Sequence, residues 1–298
     1  MNRKENLEWW RKAKLGLFVH WGIYSLCGAG EWVMYTRRIP AEQYRKLAGS
    51  FNPKEFDADE LAHFARMAGM KYIVITAKHH DGFSMFRTKV SDYNIVDATP
   101  FGRDPMAELA DACRREGLKL GFYYSHVREW NHPLAQSFEK KGRGDLYGNY
   151  GNFWDYPNEN RKNLQEYIDK FDIPQIRELL TQYGDILTIW FDTPSQIAPW
   201  QGEQIKKAVC ETQEGCLVNS RLSEEIPTDY MTMADDAIPA SGMNIPWETP
   251  MTTHNGWGFV EDAEYASAQG IVLKIAEVAA KGGNLLLNVG PDSRGRIP

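Results

Sequence analysis

Short apolar runs alternate with helix-period patterns along this chain, an order that predicts a parallel sheet wrapped in helices. The first run is KLGLFVH (14–20). A polar excursion separates it from a helix whose apolar positions Leu61, Phe64, Ala65 and Ala68 fall at i, i+3, i+4 and i+7, with Gly69 as its stop. KYIVIT (71–76) follows, then a helix carrying Met106, Leu109, Ala110 and Cys113 on one face and ending at Gly117. LKLGFYYS (118–125) is the third strand. A helical stretch over 163–183 is interrupted at Pro174, and DILTIWFD (185–192) is the fourth strand. A helix over 203–212 leads to CLVNSR (216–221).

Beyond that point the alternation weakens. DYMT (229–232) and IPWET (245–249) read as short strands, joined by segments rich in Pro, Asp and Gly rather than by helices. A helix over 262–280, with Ile271, Ile275 and Val278 on one face, stops at Gly282-Gly283 before NLLLNVGP (284–291). Eight strands with their last helices eroded predict an α/β fold: a (β/α)8-type, TIM-like barrel with irregular last repeats, filling 1–298 as one catalytic domain.

Composition narrows the partner. A net charge of −6 with no block of Lys or Arg argues against nucleic acid or an anionic membrane and favours a neutral ligand. The longest apolar runs fall far short of the roughly 18 residues that span a bilayer. MNRKENLEWWRK holds no apolar segment and hence no visible signal peptide, so the expectation is a cytoplasmic protein or one whose leader has been removed. Cys27, Cys113, Cys210 and Cys216 lack metal-ligand spacing. The 10 Trp and 14 Tyr bring sugars into view, because a pyranose offers apolar C–H faces that lie well on aromatic rings.

In barrels of this kind the active site is assembled at the C-terminal ends of the strands. Here the apolar runs finish in His20-Trp21-Gly22, Lys78-His79-His80-Asp81, Tyr123-Tyr124-Ser125-His126, Trp190-Phe191-Asp192, Asn219-Ser220-Arg221 and Trp247-Glu248-Thr249. His20, His79, His80, Tyr124 and Arg221 suit several hydroxyls of one small ring. Asp192, at the end of the most apolar strand, suits attack on an anomeric carbon. A retaining mechanism needs a second carboxyl, and Asp235, Asp236 and Glu248 are the candidates. No cofactor and no metal is required. Each residue also has a structural reading. His79 and His80 suit a buried bonded pair, Asp192 a helix cap, Arg221 a pair with Glu224 or Glu225, and Tyr124 or Trp257 plain packing.

Taken together, GLFVHWGIYS, GEW, KYIVITAKHHDGF, GLKLGFYYS, WFD and GGNLLLNVGPDSRGRIP resemble the α-L-fucosidases of glycoside hydrolase family 29, in order, from about Leu15 to Pro298. The resemblance implies exo-acting hydrolysis of terminal α-L-fucosyl linkages through a covalent fucosyl-enzyme. Its substrate would be a fucosylated oligosaccharide or glycoconjugate. By motif, Asp192 matches the nucleophile. His20, Glu31, Trp32, His79, His80, Tyr124 and Arg221 match positions that hold the ring, and Trp257 an aromatic on the methyl side. For the acid/base, Asp235 is favoured and Glu248 is the alternative. The family often continues into a C-terminal β-sandwich, and the expectation from RGRIP at 294–298 is that the barrel stands without one. Linkage preference is expected to lie in the loops at 126–160 and 222–246. Three rivals remain open at this point: a non-catalytic fucose-binding barrel, a metal-dependent amidohydrolase-type barrel, and a glycosidase for another 6-deoxy or galacto-configured sugar.

Overall fold

The computed structural model describes residues 1–138 and 150–298. Eight parallel strands form one curled sheet: β1 (Leu15–Val19), β2 (Tyr72–Lys78), β3 (Lys119–Ser125), β4 (Ile186–Asp192), β5 (Leu217–Val218), β6 (Met231–Thr232), β7 (Trp247–Met251) and β8 (Asn284–Val289). Their order is β5-β4-β3-β2-β1-β8-β7-β6. The two ends of that order, β5 and β6, meet through a single parallel bridge between Asn219 and Tyr230. Backbone bonds from Asp229 to Val218 (2.9 Å) and from Ser220 to Tyr230 (2.9 Å) flank it. The architecture is thus the TIM-like α/β barrel expected, with its weakest seam where the sequence pattern fades.

Helices cover the first half as their caps dictate. The Asp57 side chain accepts from Glu60 N to start the helix Ala58–Met67, and Asp104 accepts from Met106 N and Ala107 N to start Pro105–Glu116. Gly117 ends the latter in the left-handed region, at φ +69°. The stretch predicted to break at Pro174 is continuous but widened. Leu164–Tyr167 passes through a π-turn, Ile168–Asp172, into Ile173–Gln182, and the proline sits where the regular helix resumes and its missing N–H matters least. Pro199–Thr212 starts four residues earlier than predicted, with Pro199 in its first turn. Ala268–Ala280 starts six residues later than predicted, where Ser267 caps Gly270 N. The helix Arg3–Ala13 had no signal in the pattern analysis. It plugs the N-terminal end of the barrel: Trp10 packs against Tyr230 with ring centroids 4.2 Å apart and planes tilted by 30°, and Arg3 pairs with Asp229 at 2.6 Å.

Two buried layers result. Phe18, Val74, Tyr123, Trp190, Tyr230 and Leu286 fill the barrel interior. Tyr124, Phe122, Phe191, Ile189 and their neighbours pack between sheet and helices. Every residue of β2 and β4 is buried, as expected of a parallel sheet covered on both faces.

Candidate active site

A cavity of about 570 Å³ opens at the C-terminal ends of the strands. It is lined by His20, Glu31, Trp32, His79, Asp192, Arg221, Asp235 and Trp257, all of them singled out in the sequence, and also by Phe18, Tyr35, Tyr123, Arg128, Tyr150, Trp190 and Thr193, which were not.

Asp192 closes β4 at the floor. Its Oδ2 accepts from Tyr123 OH at 3.0 Å, and its Oδ1 accepts from Arg221 Nη1 at 2.8 Å and from Thr193 N at 2.9 Å. Thr193 holds a left-handed backbone, φ +53°, which is costly for a β-branched residue and turns its N–H back onto the carboxylate. Burial would push the Asp192 carboxyl up, but His80 and Arg221 outweigh it and hold the group well below the usual carboxylate range. It is an anion in a nearly dry place.

Arg221 reaches a second carboxylate. Its Nη2 donates to Asp235 Oδ1 at 2.5 Å. Asp235 differs from Asp192 in being half open to solvent, with 49% of its side chain exposed. Burial raises its carboxyl, Arg221 opposes the shift, and the charge of Asp192 adds to it; the result is raised. One buried carboxylate held ionised and one accessible carboxyl biased towards its proton therefore share a single guanidinium.

Burial biases the histidines around Asp192 towards their neutral form. Asn288 Nδ2 donates to Trp257 O at 2.7 Å, which leaves Asn288 Oδ1 to accept from His20 Nδ1 at 2.7 Å. His20 thus carries its proton on Nδ1 and presents Nε2 as an acceptor. Burial drives His20 down to about 3 and His80 to about 4. His80 Nδ1 is bonded to Ser125 Oγ at 2.6 Å, and its Nε2 faces Asp192 Oδ2 at 3.6 Å, the contact through which His80 favours the carboxylate. His79 is stacked on Tyr123 at 5.2 Å, and burial holds it well below the ordinary imidazole value. Glu31 is buried too, with Oε2 accepting from Gly258 N at 2.7 Å, which ties the first loop to the Trp257 segment.

Three expectations are corrected. Tyr124 does not reach the cavity: it points outward between sheet and helices, donating to Gln175 Oε1 at 2.7 Å and Asp172 Oδ1 at 3.2 Å. Its neighbour Tyr123 has the inward parity and touches Asp192 instead. Glu248 is also misplaced as an acid. It is fully buried under the floor, where Oε1 accepts from Trp190 Nε1 at 2.5 Å and Thr232 Oγ1 at 3.2 Å. The Trp190 ring lies between Glu248 and the cavity, so no leaving oxygen reaches it. Asp236 is turned away as well, capping Thr252 N at 2.9 Å. Among the described residues no group of three or more His, Cys, Asp or Glu is placed to hold a metal ion. Of the loops expected to set linkage, 139–149 lie outside the described residues.

Comparison with known proteins identifies the family. A family model described as alpha-L-fucosidase matches residues 1–298. The alpha-L-fucosidase of Dictyostelium discoideum is 27% identical over 324 residues, covering 97% of this chain and 66% of that protein. Alpha-L-fucosidase AlfC from Lactobacillus casei, solved in complex with its α-L-fucose product, is 38% identical with a TM-score of 0.91, covering 99% of this chain and 94% of that one. A variant of AlfC in complex with Fuca(1,6)GlcNAc is 37% identical with a TM-score of 0.91 and the same coverage. This chain therefore spans about two thirds of the curated Dictyostelium relative and nearly all of AlfC.

Proposed function

This chain belongs to the alpha-L-fucosidase family, and from that premise we propose that it is an exo-acting α-L-fucosidase that hydrolyses terminal α-L-fucosyl linkages of glycans with retention. The carrying observation is the pair of carboxylates on Arg221: Asp192 buried and held ionised, Asp235 accessible and raised. In the first step an oxygen of Asp192 attacks C1 of the fucoside. The bond from C1 to the leaving oxygen breaks as Asp235 gives that oxygen its proton. In the second step Asp235 takes a proton from water, the water oxygen attacks C1, and the ester to Asp192 breaks. Two inversions leave the anomeric configuration unchanged.

The neutral imidazoles suit the fucose hydroxyls, because an acceptor nitrogen in a dry pocket needs a donor and a sugar supplies several. His20, Glu31, His79 and Trp32 form the wall for the ring, while Trp257 and Phe18 present an apolar surface for its methyl group. Tyr123 takes the role assigned to Tyr124. His80 acts from behind Asp192, with Ser125 fixing its tautomer. The fucose and Fuca(1,6)GlcNAc complexes of AlfC support a fucosylated glycan as the substrate class. The lack of a metal-binding group among the described residues weighs against the amidohydrolase reading, and the presence of Asp235 weighs against a barrel that binds without turnover.

Asp192→Gly tests the assignment. Hydrolysis of an aryl α-L-fucoside is expected to fall by about 10⁴-fold or more, with fucose binding retained. Added azide is expected to restore release of the phenol and to yield β-L-fucosyl azide. Azide that gives no product, with fucose still bound, places the nucleophile elsewhere.

A further inference from the structure

The cavity, at about 570 Å³, is larger than one six-membered ring needs, and the residues left after the fucose wall is assigned gather at one side of its mouth. Tyr35, Tyr150 and the guanidinium of Arg128 stand there beside Trp32. Tyr150 meets Trp32 at 5.3 Å and 89°, and Tyr35 at 5.5 Å and 90°, so the three rings brace one another edge to face. The Arg128 guanidinium lies 5.2 Å from the ring centroids of both Trp32 and Tyr150. Arg128 is itself buried, its Nε donating to Gln136 Oε1 at 2.7 Å, and Gln136 Nε2 in turn donates to Ser195 Oγ at 2.7 Å. The cation is thus fixed from behind. Tyr150, by contrast, is 40% exposed, a large ring kept at the surface of an otherwise buried cluster.

A rigid ring left open to water next to a polar pocket is built for a ligand face rather than for the core. We propose that Tyr150 and Tyr35, held by Arg128 against Trp32, form the leaving-group subsite, and that it takes a second pyranose ring stacked by its C–H face. This rests on the fucosidase reading above. Arg128 is a positioning residue here: it joins the wall of the fucose ring, through Trp32, to the platform for the second sugar.

The test compares kcat/KM on methyl α-L-fucoside with kcat/KM on fucosyl disaccharides of different linkage, so that both leaving groups are alkoxides. The unmodified protein is expected to prefer at least one disaccharide over the methyl fucoside. Tyr150→Ala is expected to lower that preference by about ten-fold, the size of one aromatic contact, and Tyr150→Phe to restore it, since stacking does not use the hydroxyl. A preference equal in Tyr150→Ala and the unmodified protein overturns the proposal, as does a protein that gains nothing from any second ring. Absence of turnover on methyl α-L-fucoside, on every disaccharide and on an aryl α-L-fucoside in the unmodified protein overturns the fucosidase reading instead, so the two failures are told apart.

Discussion

Glu248 and Asp235 are both carboxyls near a strand end, and their surroundings set opposite behaviour. Glu248 is fully buried and pushed up to about 7 by desolvation, against the bonds from Trp190 and Thr232. The folded protein favours its neutral form. The stabilisation is therefore whole below about pH 4.5 and is lost as pH rises through about 7, a difference of roughly 3 kcal/mol at most. Glu248→Gln keeps the acceptor for Trp190 and cannot ionise, so this variant is expected to gain thermal stability relative to the unmodified protein above about pH 7. A stability difference that is flat across that range would mean that Glu248 does not titrate there. The same variant separates the two acid candidates. Asp235→Asn is expected to cost far more on a disaccharide than on an aryl fucoside, because only the poor leaving group needs the proton. Glu248→Gln is expected to show no such dependence. Equal losses on both substrates for Asp235→Asn would remove it as the acid.

At the scale of elements, all eight strands were legible in the sequence, most plainly those with long apolar runs, β1 to β4 and β8. Their residue parity was not legible, and the reason is physical. In an antiparallel sheet with one wet face, alternation tells inward from outward; here both faces of β3 are buried, so Tyr123 and Tyr124 look alike. Glu248 failed similarly, since a strand end says which face a carboxylate takes but not how deep its layer lies. Arg128 and Tyr150 sit on an irregular loop with no period to read. The π-turn was visible only as a proline, yet it brings Asp172 to 3.6 Å from Lys78 Nζ, behind the His79-His80 segment. Lys78 also pairs with Glu129 at 3.1 Å and donates to Tyr167 OH at 2.6 Å. Burial raises Asp172 far above its usual range, while Lys78 outweighs the burial of Glu129 and lowers it. The ammonium thus favours the anion of Glu129, while the Asp172 carboxyl is biased towards its proton. Asp172→Asn is expected to cost about 1 kcal/mol of unfolding free energy. Lys78→Met, which strands Glu129, is expected to cost about 3–5 kcal/mol. Similar costs in denaturant melts would show that Asp172 is charged.

Across the whole molecule, the ladder is continuous from β5 through β1 to β6 and interrupted once, at the Asn219–Tyr230 bridge. Opening there costs few backbone bonds, so amide exchange at Ser220 and Asp229 is expected to be faster than at Ile73, Val74 and Ile75 of β2. Equal protection would show the seam to be as firm as the rest. That seam carries Arg221 and, a few residues on, Asp235, and the shared guanidinium has a consequence for turnover. In the proposed mechanism it faces one negative charge before reaction, on Asp192, with the proton carried by Asp235. Once the sugar is esterified to Asp192 and the proton has left with the aglycone, it again faces one negative charge, now on Asp235. The cation stays neutralised at every stage while the anion changes sides, so neither half-reaction has to strand a charge in the barrel.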